Sequence, residues 1–294
     1  MKIVAVIPAR YSSTRFPGKP LSDICGKPMI WWVYNQTKKV KGLSDVYAAT
    51  DDTRIKEVCE KLNINVIMTS ENNSSSTERL YEVSKAIDAD LYICINGDEP
   101  LIDPKVIEKI IPKNYDKNFY VGNLITEIKD PAECVDFTNI KVVTDCDSNA
   151  LFMSRSPIPY PKNSITYKYY KHVGVLIYTK SALKFFAETK KGENEKIEDI
   201  NELRFIENGK KIKMTKVNSK TLSVDTPKDL EKVRKIIQQK IDNGEIVLWV
   251  IFKFLIALFA MVDTLITGSL AKKQSKVLWK IWQMQKLMLL KLDF

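Results

Sequence analysis

Three cations crowd one short stretch near the start of the chain. Arg10, Arg15 and Lys19 stand in Ile7-Pro8-Ala9-Arg10-Tyr11-Ser12-Ser13-Thr14-Arg15-Phe16-Pro17-Gly18-Lys19-Pro20-Leu21. Arginine offers planar, bidentate donors to a phosphate, and lysine a compact point charge. Gly18 lets the backbone approach a phosphate closely. Further along, Asn96-Gly97-Asp98-Glu99-Pro100 ends an apolar run on paired carboxylates. A cationic loop and an acidic strand end together suit a nucleoside triphosphate and its metal. The loop is not a Walker loop, since G-x-x-x-x-G-K-[ST] is absent, and no G-x-G-x-x-G follows the strand. By charge spacing alone, a polar surface loop with unrelated cations fits equally well.

These residues need elements to position them. Residues 3–7 are short, apolar and β-rich, as in a buried parallel strand. Helices are expected at 28–39, 53–62 and 77–87, and strands at 46–50, 65–68 and 91–95. Strands alternating with helices imply βαβ units and a mostly parallel sheet. In such sheets ligands sit beyond the carboxyl ends of the strands, where both informative runs lie. Strands are expected again at 119–128, 139–144 and 172–178, an extended Pro-rich stretch at 154–161, and helices at 197–208 and 226–240. Pro227 suits a first helical turn, where its missing N–H is harmless. The expected architecture is a single Rossmann-like α/β domain over residues 1–243, with a smaller β region inserted near 119–200.

The net charge of +10 over 294 residues is unevenly spread. Residues 246–294 hold seven Lys and two Asp, so half of the excess lies in this tail. The remainder is mildly basic and carries no motif that reads nucleic acid, so no nucleic-acid partner is expected. The five cysteines are scattered, with no C-x-x-C pair, which fits a reducing cytoplasm better than a disulfide framework or zinc site. The N-terminus reads as a first strand and not as a signal peptide. The tail, 244–294, is apolar and basic; Lys253 and Asp263 interrupt it before any run reaches the length of a spanning helix. Three readings of it stay open: a docked helix, a basic amphipathic helix in contact with a membrane surface, or a read-through extension without function.

The spelling of the motifs adds to their spacing. Arg10-Tyr11-x-Ser13-Thr14-Arg15-x-Pro17-Gly18-Lys19-Pro20-Leu21 resembles the opening of the 3-deoxy-manno-octulosonate (Kdo) cytidylyltransferases, the CMP-Kdo synthetases. The likeness continues through Gly26-Lys27-Pro28-Met29-Ile30, Ala49-Thr50-Asp51, Thr77-Glu78-Arg79-Leu80 and Gly97-Asp98-Glu99-Pro100. It resumes at Ser154-Arg155-x-x-Ile158-Pro159, Lys171-His172-x-Gly174, Glu202-Leu203-Arg204 and Val224-Asp225-Thr226-Pro227-x-Asp229-Leu230. These motifs cover about residues 1–240 in the family's order, and the tail lies outside them.

The resemblance implies a GT-A-like nucleotidyltransferase fold and a homodimer. It also implies a reaction: CMP passes from CTP to the anomeric hydroxyl of Kdo or a related acid sugar, with release of pyrophosphate. The product would feed lipopolysaccharide or capsule synthesis. Asp98 and Asp225 are the implied Mg2+ ligands, a role two converging carboxylates suit. Arg10, Lys19, Asp98 and Asp225 form the implied catalytic set. Ala9, Arg10, Ser13, Arg15, Lys19, Thr77, Arg79 and Asn96 are expected to bind the nucleotide, and Arg155, His172 and Glu198 the sugar. His172, the only histidine, is expected to help Arg155 hold the sugar carboxylate. Catalysis would rest on positioning and charge neutralisation, with no covalent nucleophile.

The family pattern is departed from near the expected sugar and base site. Asn73, Ser75 and Ser76 replace parts of a His-x-Ser-Gly run, Asn96 replaces Gln, Leu176 replaces Tyr, and Asn201 replaces one of two acids beside Glu198. The phosphate and metal residues are intact, so another acid sugar such as an amino-substituted Kdo is the first alternative. A GT-A glycosyltransferase, which shares the sheet and the acidic strand end, is the second. A membrane-associated binding protein acting through the tail is the third.

Overall fold

The computed structural model describes residues 1–12, 16–163, 167–219 and 222–246. The chain divides into two compact units, Met1–Lys235 and Ile236–Phe294. The candidate site lies in the first. All but the first three residues of the expected tail fall outside the described residues, and so do its three readings.

The first half runs β1 (Ile3–Ala9), a 3-10 turn (Lys19–Leu21), β2 (Asp23–Ile24), β3 (Lys27–Pro28), α1 (Met29–Lys38), β4 (Asp45–Thr50), α2 (Thr53–Lys61), β5 (Val66–Met68), α3 (Ser76–Ala86), β6 (Leu91–Ile95) and α4 (Pro104–Glu108). The second half runs β7 (Val121–Glu127), α5 (Pro131–Val135), β8 (Lys141–Thr144), β9 (Ala150–Ser154), β10 (Tyr170–Tyr178), α6 (Lys180–Glu188), α7 (Glu193–Glu198), α8 (Leu203–Glu207), β11 (Lys213–Val217) and α9 (Pro227–Asp242).

The strands order as β11-β7-β10-β6-β1-β4-β5, and the β8–β9 hairpin leaves this path from β10. This is the expected α/β fold with its additional antiparallel region. β1 pairs parallel to β4 and β6, β4 to β5, and β7 to β11. β10 alone on the path is reversed, antiparallel to both β6 and β7. β6 is buried along its whole length and β1 nearly so, which is why both read as unbroken apolar runs. Helix starts are chemically marked. The Asp52 side chain accepts from Arg54 N at α2, and Ser75 and Glu78 form a reciprocal capping box at α3. Among the described residues no helix is long and apolar enough to cross a membrane.

Two expectations change. The helix expected at 197–208 is two short helices, parted at Asp199, whose φ is 50°. The Arg155 side chain donates to the carbonyls of Glu198 and Asp199, which a continuous helix would have used. No strand was expected between residue 144 and the Pro-rich stretch at 154–161, and β9 fills that gap.

The helices beside β10 are held together by a buried ion pair. Arg204 and Glu195 are both 2% exposed. The guanidinium grips Glu195 through two hydrogen bonds of 2.7 and 2.6 Å, donates to Phe186 O at 2.8 Å and lies over the Phe186 ring. It also reaches Glu78 of the α3 capping box at 3.6 Å. Removing one partner strands a buried charge, so Arg204→Ala should cost about 3–5 kcal/mol. Chemical denaturation of the variant against wild type measures this directly.

Candidate active site

The centre of the site is one ammonium. Lys19 follows Gly18, whose φ of 68° and close approach to the Tyr11 ring would strain any side chain there. Gly18 N donates to Tyr11 O at 2.8 Å and closes the base of the cationic loop. The Tyr11 ring in turn stacks beneath the Arg54 guanidinium, 3.3 Å from its centroid. Ser13 and Arg15 lie outside the described residues.

Lys19 Nζ donates to Asp98 Oδ2 at 2.9 Å and to Val224 O at 2.9 Å, and lies 3.8 Å from Asp225 Oδ1. Val224 N donates back to Asp98 O at 2.9 Å. The two aspartates the sequence offered as metal ligands therefore converge from segments far apart in the chain. Their donor set is carboxylate oxygen only, and both face one cation, which fits magnesium.

A second cationic group stands beside the first. Ala9 ends β1, fully paired against Thr50 of β4, and Arg10 leaves the strand directly after it. Burial, and then the Arg79 guanidinium, pull the Arg10 pKa below its ordinary value; Asp51 and Glu78 pull it back. Arg79 is completely enclosed. Its guanidinium donates to Asp51 at 2.6 Å and to the Thr69 hydroxyl. It therefore stands behind Arg10 as fixed charge. Thr77, also buried, shares a hydrogen bond with the Tyr178 hydroxyl beneath the start of α3.

The reversed strand completes the site. Val175 of β10 lies opposite Ile95, the last residue of β6, so residues 170–174 project past the carboxyl end where Asn96 and Asp98 stand. His172 lies within the field of Asp98 and is partly buried. Its Nδ1 is 2.9 Å from Asn123 Oδ1. The Asn123 amide donates to Val173 O and Val175 O, bridging the irregularity where β10 slips its register against β7. Gly174 sits in that bulge. A Cβ there would come within 2.5 Å of Asn96 Nδ2 and 2.8 Å of Glu99 Oε1. Glu99 itself accepts from Gly174 N at 3.2 Å.

Arg155 and Glu198 form a third group. The Glu198 carboxylate accepts from the Ser154 hydroxyl at 2.6 Å and from Arg155 N at 2.9 Å. The Arg155 guanidinium donates to the carbonyls of Glu198, Phe137 and Asp199. The buried Lys141 ammonium donates to Asp136 O, Asn139 O and Arg155 O, and so anchors this corner. Asp51, Asn123 and Lys141 are site supports that the motifs did not single out as such. Asn123 had left a trace, a carboxamide inside an apolar strand.

A family model described as cytidylyltransferase matches residues 4–212. The chain belongs to the cytidylyltransferase family. It is similar to the 8-amino-3,8-dideoxy-manno-octulosonate cytidylyltransferase of Shewanella pealeana, at 43% identity over 78% of this chain and 96% of the relative. It is also similar to the 3-deoxy-manno-octulosonate cytidylyltransferase of Escherichia coli, at 39% identity over 82% and 98% of the two chains. A solved structure of CMP:2-keto-3-deoxy-manno-octonic acid synthetase complexed with CTP matches with a TM-score of 0.77 and 40% identity. That match covers 82% of this chain and all of the other. For this family member, the choice between nucleotidyltransferase and glycosyltransferase falls to the former.

The departures from the family pattern now have physical roles. Ser75 caps α3, Asn73 donates to Glu82 at 2.5 Å, and Leu176 packs in the core. Within electrostatic reach of Cys94 and Tyr178 lies Glu202, 8% exposed, whose carboxyl burial pushes up to about 7. A carboxyl raised in the fold holds its proton where the unfolded chain has released it, so its contribution to stability is lost as pH rises from about 4.5 to about 7. His172 acts oppositely. Burial lowers it to about 4, so its contribution is lost as pH falls from about 6.5. Glu202→Gln removes the first effect alone. The stability difference between variant and wild type should move by about 3 kcal/mol in the variant's favour from pH 4.5 to above 7. Denaturant titrations across that range read the difference.

Proposed function

We propose that this chain transfers CMP from CTP to the anomeric hydroxyl of Kdo or its 8-amino relative and releases pyrophosphate. The observation that carries this is the convergence of Asp98 and Asp225 on Lys19 in a chain whose similar proteins bear those two names. Asp98 and Asp225 would hold a magnesium ion, which when bound supplies charge neutralisation on phosphate oxygens. Lys19 stands ready to exchange its carboxylate partners for phosphate, and Arg10, backed by Arg79, adds charge against the triphosphate. Holding the hydroxyl in line with the α-phosphorus is a matter of positioning, and Arg155, Glu198 and His172 are the residues for it. The activated sugar suits lipopolysaccharide or capsule synthesis in the cytoplasm, where the five free cysteines stay reduced.

The amino sugar deserves equal rank as substrate, because the relatives at 43% and 44% identity are named for it. Pyrophosphate release from CTP and magnesium, with each sugar in turn, tests the reading. Release should require a sugar, and Asp98→Ala should lower kcat by roughly a hundredfold or more. Release independent of Asp98, or silence with every acid sugar from folded protein, rejects it.

The acting unit in this reading is a homodimer. Phe137 and Ile197 are 67% and 81% exposed, and they flank the Arg155 corner. Val135 and Tyr160 in the same region are also largely exposed. Apolar side chains gathered this way mark an association surface. Sedimentation equilibrium should give twice the chain mass for wild type, and Phe137→Asp with Ile197→Asp should shift it to monomer.

A further inference from the structure

The bond between His172 and Asn123 has a direction that its neighbours fix. Asn123 is completely buried, and its Nδ2 is spent on two carbonyls, Val173 O at 3.0 Å and Val175 O at 2.9 Å. Turning the amide over would set its oxygen against both carbonyl oxygens and leave two buried acceptors facing a third. The Oδ1 that meets His172 is therefore an acceptor, so Nδ1 of the ring must be the donor. A neutral imidazole has one N–H, and here it lies on Nδ1. His172 is half-buried, and Nε2 is not among the enclosed polar atoms left unpaired, so with Nδ1 held on an enclosed carboxamide it is the nitrogen left to meet a ligand. The low pKa of His172, about 4 through burial, agrees with a neutral ring despite the nearby Asp98.

We propose that Asn123 is a positioning residue that locks His172 in the Nδ1–H tautomer and keeps Nε2 as an acceptor for a hydroxyl or N–H group of the sugar. This rests on the acid-sugar reading above. A bare Nε2 repels a carboxylate, so His172 does not share the sugar carboxylate with Arg155, as its sequence position suggested. The carboxylate falls to the Arg155 corner, where three of five guanidinium N–H groups are committed to carbonyls and two remain. The sugar is thus read at two chemically distinct ends: an anionic group by arginine, a donor group by histidine. A hydroxyl and an ammonium both satisfy the acceptor, which accommodates Kdo and its 8-amino relative alike.

The chain has a single histidine, so imidazole nitrogen labelling gives one ring and two resonances. Long-range proton–nitrogen correlation on the full chain at neutral pH should show a protonated Nδ1 and a bare Nε2. Adding Kdo with CTP, without divalent metal, should move the Nε2 resonance in the direction of an accepted hydrogen bond. Asn123→Ala should release the ring to the Nε2–H form that free neutral histidine favours. It should also raise KM for the sugar roughly tenfold, with kcat and KM for CTP within about twofold. A wild-type ring that is Nε2-protonated or cationic at neutral pH overturns the proposal, and needs no variant to do so. So does a tautomer unchanged in Asn123→Ala, or an Nε2 resonance that the sugar does not move. Loss of turnover with every sugar, beside the expected tautomer, counts against the acid-sugar reading and the sugar contact, while the Asn123 lock stands.

Discussion

The ammonium of Lys19 lies between two carboxylates that would repel each other if left alone. It ties the loop after β1, the loop after β6 and the segment before α9 into one unit, joined also by a backbone bond from Val224 N to Asp98 O. Of the three segments only the first is regular at the point of contact, where Lys19 opens a single 3-10 turn. Their positions are set by the strands and the helix they leave, and the lysine charge makes the convergence of two acids tolerable. Without a cation in that place the fold would have to keep Asp98 and Asp225 apart, and the pair would lose its use.

Around this centre the sheet supplies the rest by direction. Strands β1, β4 and β6 bring their last residues to the site edge, as parallel strands do. β10 runs the other way and brings its first residues to the same edge. A histidine near the start of that strand thereby joins aspartates and arginines from the ends of others. The buried Arg79–Asp51 pair and the Arg204–Glu195 pair lie one layer deeper and hold the start of α3 from two sides. Charge is thus arranged in depth, with fixed pairs inside and exchangeable ones at the surface.

The first four strands of the parallel sheet were readable because their apolar runs are short and uninterrupted, and α2 and α3 because Asp52 and Ser75 announce them. The break between α7 and α8 was not, because its cause is Arg155, distant in sequence, which takes the carbonyls a helix would need. The β9 strand hid behind the prolines that follow it. In the site, the residue types were legible and their pairings were not. Nothing local in Lys19-Pro20 says that residue 224 will lie against it. Asn123 shows only as a polar residue in an apolar strand until the bulge at Gly174 gives its amide two carbonyls to hold.

That bulge also constrains descent. Asn96, Glu99, Asn123 and Gly174 come from three strands or their ends and interlock at contact distance. A side chain at position 174 would press on two of the others, Asn96 and Glu99. A substitution at 174 therefore requires Asn96 and Glu99 to move with it. The Arg155 corner is held mostly through backbone carbonyls, which any residue can provide. Substitution therefore meets little resistance at the Arg155 corner and more at the seam around Gly174.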